Sequence, residues 1–216
     1  MTIKNNLQKI KNSLPKKVTL VAVSKTKPIE DLMEAYKAGQ RIFGENKVQE
    51  IVSKYPQMPL DTKWHMIGHL QRNKVKYLAP FIDLIHGIDS LKLLREINKQ
   101  AIKHDRIIKG LIQIKISNEI TKFGMTANEA REMFCSDEFK NLNNVKIIGV
   151  MGMASFTINK SQIRKEFLNL KLIFDSYKEF NPTMEVISMG MSGDYNLAIE
   201  CGSNMIRIGS SIFGSR

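Results

Sequence analysis

Residues 18–28 read VTLVAVSKTKP, a short apolar run that passes directly into two lysines and then a proline. The run is rich in β-branched residues, which is typical of a buried strand. Pro28 is suited to the first position of a helix, and apolar residues at helical spacing follow it as far as Gly39. The stretch therefore predicts a strand, a loop and a helix in succession, the unit from which parallel sheets are built.

Seven further apolar runs repeat the strand pattern, and segments with helical spacing separate most of them. The eight predicted strands are Val18–Val23, Arg41–Phe43, Trp64–Ile67, Ile82–His86, Leu111–Ile116, Val145–Met151, Met184–Ser188 and Met205–Ile208. This alternation favours an α/β fold, a closed (β/α)8 TIM barrel, as a single domain over residues 1–216, although ~250 residues are typical of that fold. An open doubly wound sheet is the alternative. Its G-x-G-x-x-G signature after the first strand is missing, because residues 24–28 contain no glycine.

The charge balance raises the question of nucleic-acid binding. The chain carries 33 Lys and Arg against 21 Asp and Glu, a formal net charge of +12. The lysines are scattered along the whole chain, and we see no RNP-like aromatic motif, zinc finger or Gly/Arg tract. A basic nucleic-acid-binding protein is therefore kept only as an alternative to the small-molecule site described below.

Composition also disfavours membrane, secreted and metal-binding classes. The N-terminal residues lack the apolar core of a signal peptide, and no apolar run reaches the ~20 residues of a membrane helix. The two cysteines, Cys135 and Cys201, are far apart and lie in no CxxC or Cys/His cluster, so we predict neither a disulfide nor a metal site. We expect a cytoplasmic protein, and its charge favours a monomer.

The first strand end carries a candidate reactive amine. In a barrel, ligands bind where the strands pass into the following loops. Side chains alternate along a strand, so Lys25 faces the lumen if Val21 and Val23 do. A lysine desolvated above a core is more readily available as a neutral amine, which attacks a carbonyl and forms an imine. The alternative is an ordinary solvated lysine, which is what we expect of Lys27.

The last two strand ends have the features of an anion site. Ser192 stands just before the helical pattern DYNLAIE and is expected to cap that helix. Gly209 and Ser210 directly follow the last strand, where barrels often bind phosphate at a short extra helix. Either feature alone is equally explained by a helix cap or a chain turn. Together they favour an anion site, and with Lys25 they suggest a phosphorylated aldehyde as the ligand.

Six segments resemble the pyridoxal-phosphate homeostasis proteins, which are single-domain relatives of the N-terminal barrel of alanine racemase. The segments are AVSKTKP, FGENKVQE, WHMIGHLQRNK, KFGM, ISMGMSGDYNLAIECG and RIGSSIFGSR. The resemblance runs from about Val18 to Gly214, and motifs of this length in this order are highly specific. It implies a (β/α)8 barrel that holds pyridoxal 5′-phosphate (PLP) as an imine on Lys25.

The resemblance also implies the other contacts to the cofactor. The cofactor-binding residues are expected to be Lys25, Asn46, Met191, Ser192, Arg207, Gly209 and Ser210. Arg207 of the RIG motif is expected to face the pyridine nitrogen. Ser192 and the Gly209–Ser210 backbone are expected to hold the phosphate. His69 of the GHLQ motif is expected to lie behind the residues that touch the cofactor.

The expected function is intracellular PLP homeostasis, as a carrier or buffer rather than as an efficient enzyme. Arginine at the ring nitrogen would leave that nitrogen unprotonated and weaken the electron sink. Alanine racemase takes its second base, a tyrosine, from a further domain, whereas this sequence ends just after the eighth strand motif and Tyr195 is expected to pack within a helix. PLP-dependent apo-enzymes and free amino acids are the expected partners. A slow PLP-dependent racemase or lyase is the alternative.

Overall fold

The computed structural model describes residues 2–117 and 123–214, and eight parallel strands within them form a closed barrel. The strands are β1 (Thr19–Val23), β2 (Ile42–Glu45), β3 (Lys63–Met66), β4 (Leu84–Ile88), β5 (Ile108–Gln113), β6 (Val145–Met151), β7 (Val186–Ser188) and β8 (Met205–Ile208). Each strand pairs with its neighbour in sequence, and β1 pairs with β8 to close the barrel. The predicted (β/α)8 barrel is confirmed, and every predicted strand is present within three residues of its expected ends.

Helices surround the barrel, and the described residues contain ten α-helices. They are α1 (Ile3–Ser13), α2 (Ile29–Lys37), α3 (Val48–Lys54), α4 (Val75–Leu78), α5 (Leu91–Lys103), α6 (Ala127–Cys135), α7 (Asp137–Lys140), α8 (Lys160–Tyr177), α9 (Tyr195–Glu200) and α10 (Ser210–Phe213). Helix α1 was not among the predicted elements. It packs through its two buried residues, Leu7 and Ile10. Within the described residues, no helix is both long and apolar enough to cross a bilayer.

The helix that follows β1 begins one residue later than predicted. Pro28 is the N-cap of α2 rather than its first helical residue, and Glu30 and Asp31 occupy the first turn. Gly39 ends this helix region with φ of +87°, in the left-handed region that glycine adopts without strain. This geometry places the loop between β1 and α2 at the carboxyl mouth of the barrel.

Two apolar layers support the mouth. One lies between the strands and the helices, and the other lies inside the barrel. The buried residues of the inner layer are Val21, Leu84, Leu111, Ile148, Met151 and Met205. Strands β6 and β7 approach closely, since a Cβ added to Gly149 would overlap the carbonyl oxygen of Val186. The interior is therefore a packed core, and the space for a ligand lies above it.

Candidate functional site

A cavity of about 490 Å³ opens at the carboxyl ends of the strands. All seven residues predicted from the sequence line it, namely Lys25, Asn46, Met191, Ser192, Arg207, Gly209 and Ser210. They come from the loops after β1, β2 and β7 and from β8 with its following turn. Closure of the barrel brings together residues that are up to 185 positions apart in the sequence.

Lys25 reaches the cavity through strand alternation. Val21 belongs to the inner core and Val23 lines the cavity, so the side chain two residues further on also points into the mouth. The following residue, Thr26, has φ of +64° and turns the chain sharply. Lys27, which we expected to be solvated, is half-buried at the wall of the cavity. Its Nζ donates to the carbonyl of Phe213, at the end of α10, at 2.9 Å.

The last two strand ends are joined by a direct hydrogen bond. The Gly209 amide donates to Ser192 Oγ at 3.3 Å, which links the β7–α9 loop to the β8–α10 turn. The prediction that Ser192 caps its helix is wrong, because α9 begins only at Tyr195 with Asp194 as the N-cap. Asp194 Oδ1 instead accepts from the Met191 amide at 2.6 Å. This bond closes the loop on itself and leaves Ser192 at the cavity wall.

The arginine of β8 is buried at the floor of the cavity. Arg207 is 4% exposed, and its Nη1 donates to Ser188 Oγ at 2.6 Å while its Nη2 donates to the carbonyl of Gly152 at 3.1 Å. Burial lowers the pKa of Arg207 to about 10, and the nearby Asp194 opposes that shift. The guanidinium therefore stays protonated near pH 7 and acts only as a donor.

Beneath Arg207, a chain of polar side chains crosses the barrel interior. His86 Nδ1 lies 3.0 Å from Ser188 Oγ, and His86 Nε2 lies 3.0 Å from His65 Nδ1. His65 Nε2 in turn lies 3.2 Å from Asp83 Oδ2, next to the start of β4. Both imidazoles are buried, and desolvation lowers the pKa of each, that of His86 well below its ordinary value. Both histidines are therefore neutral.

The hydrogen bonds in this series of polar side chains all run in one direction, from Arg207 to Asp83. Arg207 only donates, so Ser188 Oγ accepts from it and turns its own hydroxyl hydrogen towards His86 Nδ1. Neutral His86 then donates from Nε2 to His65, and neutral His65 donates from Nε2 to the Asp83 carboxylate. The chain fixes both tautomers and holds the guanidinium in one orientation. No local sequence pattern predicts this network, because its members are spread over four strands and their flanking residues.

The cavity wall is positively charged and partly apolar. Among the lining residues that the structure describes, three are cationic (Lys25, Lys27 and Arg207) and none is acidic. Ile67, Met153 and Phe156 add apolar surface that sequence analysis did not assign, and Phe156 is 99% exposed at the rim. The cavity therefore suits a small anion that carries an apolar or aromatic part.

His69 does not reach this cavity. Its Nδ1 lies 3.1 Å from Asp89 Oδ2, its ring stacks on Phe123 with centroids 4.0 Å apart, and it borders a separate hollow of about 510 Å³. The KFGM motif begins at Lys122, which falls outside the described residues. Within residues 2–117 and 123–214, no group of three His, Cys, Asp or Glu side chains is placed to hold a metal ion.

Comparison with known proteins relates the chain to one family. The sequence model described as "Alanine racemase, N-terminal domain" matches residues 1–216. The pyridoxal phosphate homeostasis protein of Vibrio alginolyticus is 40% identical over 210 residues, which cover 94% of this chain and 88% of the relative. The protein of that name from Aquifex aeolicus (strain VF5) is 39% identical over 199 residues, covering 91% of this chain and 86% of the relative.

Solved structures agree with the sequence comparison. PipY of Synechococcus elongatus PCC7942, with PLP bound, matches with a TM-score of 0.90 at 32% identity. The match covers 99% of this chain and 100% of that chain. The structure of the same protein without PLP gives a TM-score of 0.93.

Proposed function

Because the chain belongs to the alanine racemase N-terminal domain family and, within it, to the pyridoxal phosphate homeostasis proteins, we propose that it binds PLP in the cavity around Lys25. One observation carries the proposal. A lysine amine, a buried guanidinium and the Ser192–Gly209 junction line the same cavity of about 490 Å³. The PLP-bound structure of PipY supports it, and the family match over residues 1–216 supports one cofactor-binding barrel domain.

The residues fit the chemistry of PLP. A phosphate dianion is favoured by a wall with three cations and no described carboxylate. Ser192 and the backbone of Gly209 and Ser210 hold the phosphate, with Met191 beside them. At α10, which starts directly after Gly209, the first amides of the helix have no partner within the helix. Arg207 faces the ring nitrogen, and Asn46 lies beside the ring.

Lys25 supplies the covalent attachment. Its Nζ attacks the aldehyde carbon, a C=N bond replaces the C=O bond, and the oxygen leaves as water, so the product is an imine. Bound PLP supplies an electrophilic carbon and an electron-withdrawing ring. Attachment is reversible, because water or another amine can replace the lysine nitrogen. Free amino acids and PLP-dependent apo-enzymes are the partners that would receive the cofactor.

The surroundings of the ring nitrogen favour storage over turnover. Arg207 is protonated near pH 7 and can only donate, so it holds the ring nitrogen as an acceptor and weakens the electron sink. Tyr195, the internal candidate for a second base, packs against the core instead. We therefore place the protein in PLP homeostasis, as a monomeric carrier or buffer. A cytoplasmic location is supported by the two free cysteines, Cys135 and Cys201.

The experiment is a spectroscopic titration of the purified protein with PLP. The wild type should develop the visible absorbance band of an imine. Lys25→Ala should lose this band, whereas Lys27→Ala, which removes the neighbouring lysine of the same cavity wall, should keep it at saturating PLP. A band that survives in Lys25→Ala would overturn the proposal. Sustained turnover of amino acids would favour a racemase or lyase instead.

A further inference from the structure

A buried ion cluster lies directly behind the loop that carries Lys25. Glu45, at the end of β2, is fully buried, and Lys54, at the end of α3, is 7% exposed. The Lys54 ammonium lies 2.8 Å from Glu45 Oε1 and 3.2 Å from Glu50 Oε2. We call these three residues (Glu45, Glu50 and Lys54) the latch.

The latch binds both chain neighbours of Lys25. On one side, Lys54 Nζ donates to the Ser24 carbonyl at 2.9 Å, and Ser24 Oγ donates to Glu45 Oε1 at 2.7 Å. On the other side, the Thr26 amide donates to Glu50 Oε2 at 2.7 Å. The backbone before and after Lys25 is thus fixed to the same ion cluster, while the lysine side chain points the other way, into the cavity.

Two features show that the cluster is costly for the fold. Thr26 is β-branched yet has φ of +64°, a conformation that such residues adopt only when their surroundings enforce it. Glu45 Oε2 is buried and has no hydrogen-bond partner within the described residues. Buried ion clusters of this kind contribute little to stability. A role in positioning the loop between β1 and α2 accounts for the presence of this cluster.

We propose that the latch positions the Lys25 amine for attachment of PLP, by holding Thr26 in its left-handed turn and Ser24 against α3. The inference rests on the function proposed above. Glu45, Glu50 and Lys54 act through the backbone and do not touch the cofactor, so they are positioning residues. Burial raises the pKa of Glu45. For Glu50, desolvation is outweighed by the bonds from Thr26 and Lys54, which lower its pKa and keep it a carboxylate.

The test variant is Glu50→Ala, because Glu50 is only partly buried and its removal leaves the barrel core intact. The matched control is Glu129→Ala. Glu129 Oε2 accepts from the Thr126 amide at the same 2.7 Å, but in a helix cap of α6, whose residues do not line the cavity. Glu50→Gln keeps an oxygen acceptor for the Thr26 amide and serves as the conservative rescue.

The first readout needs no PLP. Hydrogen exchange of the Thr26 amide in the apo protein should accelerate about 10- to 150-fold in Glu50→Ala, the range expected for one bond to a charged acceptor. It should stay at the wild-type rate in Glu129→Ala and recover in Glu50→Gln. If the exchange rate of the Thr26 amide is unchanged in Glu50→Ala, the proposed role of the latch is wrong, independently of any result on PLP binding.

The second readout compares two ligands. Pyridoxine 5′-phosphate has the ring and phosphate of PLP but lacks the aldehyde, so its binding does not depend on the lysine amine. Glu50→Ala should weaken PLP binding about tenfold and leave pyridoxine 5′-phosphate binding unchanged. Equal losses for both ligands would mean general damage to the cavity and would overturn the inference. If the wild type forms no imine band, the proposed function fails, and Thr26 exchange alone decides whether the latch exists.

Discussion

Replacing Ser188 with alanine tests the polar chain beneath the cavity. Ser188 is fully buried and is the link through which Arg207 reaches His86. Its removal takes an acceptor from the charged guanidinium of Arg207 and a donor from Nδ1 of the neutral imidazole of His86. Hydrogen bonds to charged groups contribute about 1.5–3 kcal/mol and neutral ones about 0.5–1.5 kcal/mol. We therefore expect Ser188→Ala to lower the free energy of unfolding by about 3 kcal/mol.

Ser203→Ala is the matched control for this measurement. Ser203 is also buried, at 2% exposure, and lies between β7 and β8, but its hydroxyl donates to the neutral carbonyl of Met189 at 2.7 Å. Ser203→Ala should lower the free energy of unfolding by about 1 kcal/mol. In a chain of this length, about 2–4 °C in Tm corresponds to 1 kcal/mol, so the Tm values should differ clearly. Urea unfolding of the apo proteins measures the free energy of unfolding, and thermal unfolding measures the Tm. Equal decreases for Ser188→Ala and Ser203→Ala would refute the hydrogen bonds assigned to Ser188.

Three further outcomes follow from the same geometry. The free energy of unfolding should fall as the pH drops from 6.5 to 5, because His65 and His86 take up protons near pH 6.5 in the unfolded chain, while burial keeps their pKa values lower in the folded protein. The limiting slope of the free energy of unfolding against pH is about 1.4 kcal/mol per pH unit for each histidine. Urea unfolding at several pH values should show a shallower slope for His86→Gln. Gly149→Ala should leave little folded protein on expression, since its Cβ overlaps the Val186 carbonyl, and soluble protein with wild-type Tm would contradict the packing of β6 on β7. Arg207→Gln should weaken PLP and pyridoxine 5′-phosphate about equally in equilibrium titrations, because this contact is to the ring and not to the aldehyde.

The barrel, Lys25 and the last two strand ends were predictable from local sequence features, whereas Asn46, Met191 and Arg207 were assigned only from the family resemblance. Strand alternation sends Val21, Val23 and Lys25 to one side, and a parallel barrel brings all carboxyl strand ends to one mouth. For Ser192, only the expected helix cap is wrong. It was expected to cap a helix, and it instead bonds to Gly209 across two strand ends.

The polar groups behind the site were not predictable in the same way. His86 and Ser188 are in contact although they are 102 positions apart in the sequence, and no local spacing of residues predicts such a pair. Glu45 and Lys54 look like ordinary charged residues in a strand and a helix, and only the packing of α3 on β2 buries both. The N-terminal helix was missed because lysines and asparagines surround its two buried side chains.

The proposed attachment of PLP to one lysine can be measured directly. The protein is incubated with PLP, reduced with borohydride, digested and mapped by mass spectrometry. Reduction converts an imine into a stable secondary amine, so the modified residue keeps the mass of the cofactor. We predict that the added mass lies on the peptide containing Lys25, and that Lys25→Ala carries none on this segment. Modification of Lys27 instead, or modification spread over surface lysines, would contradict the account.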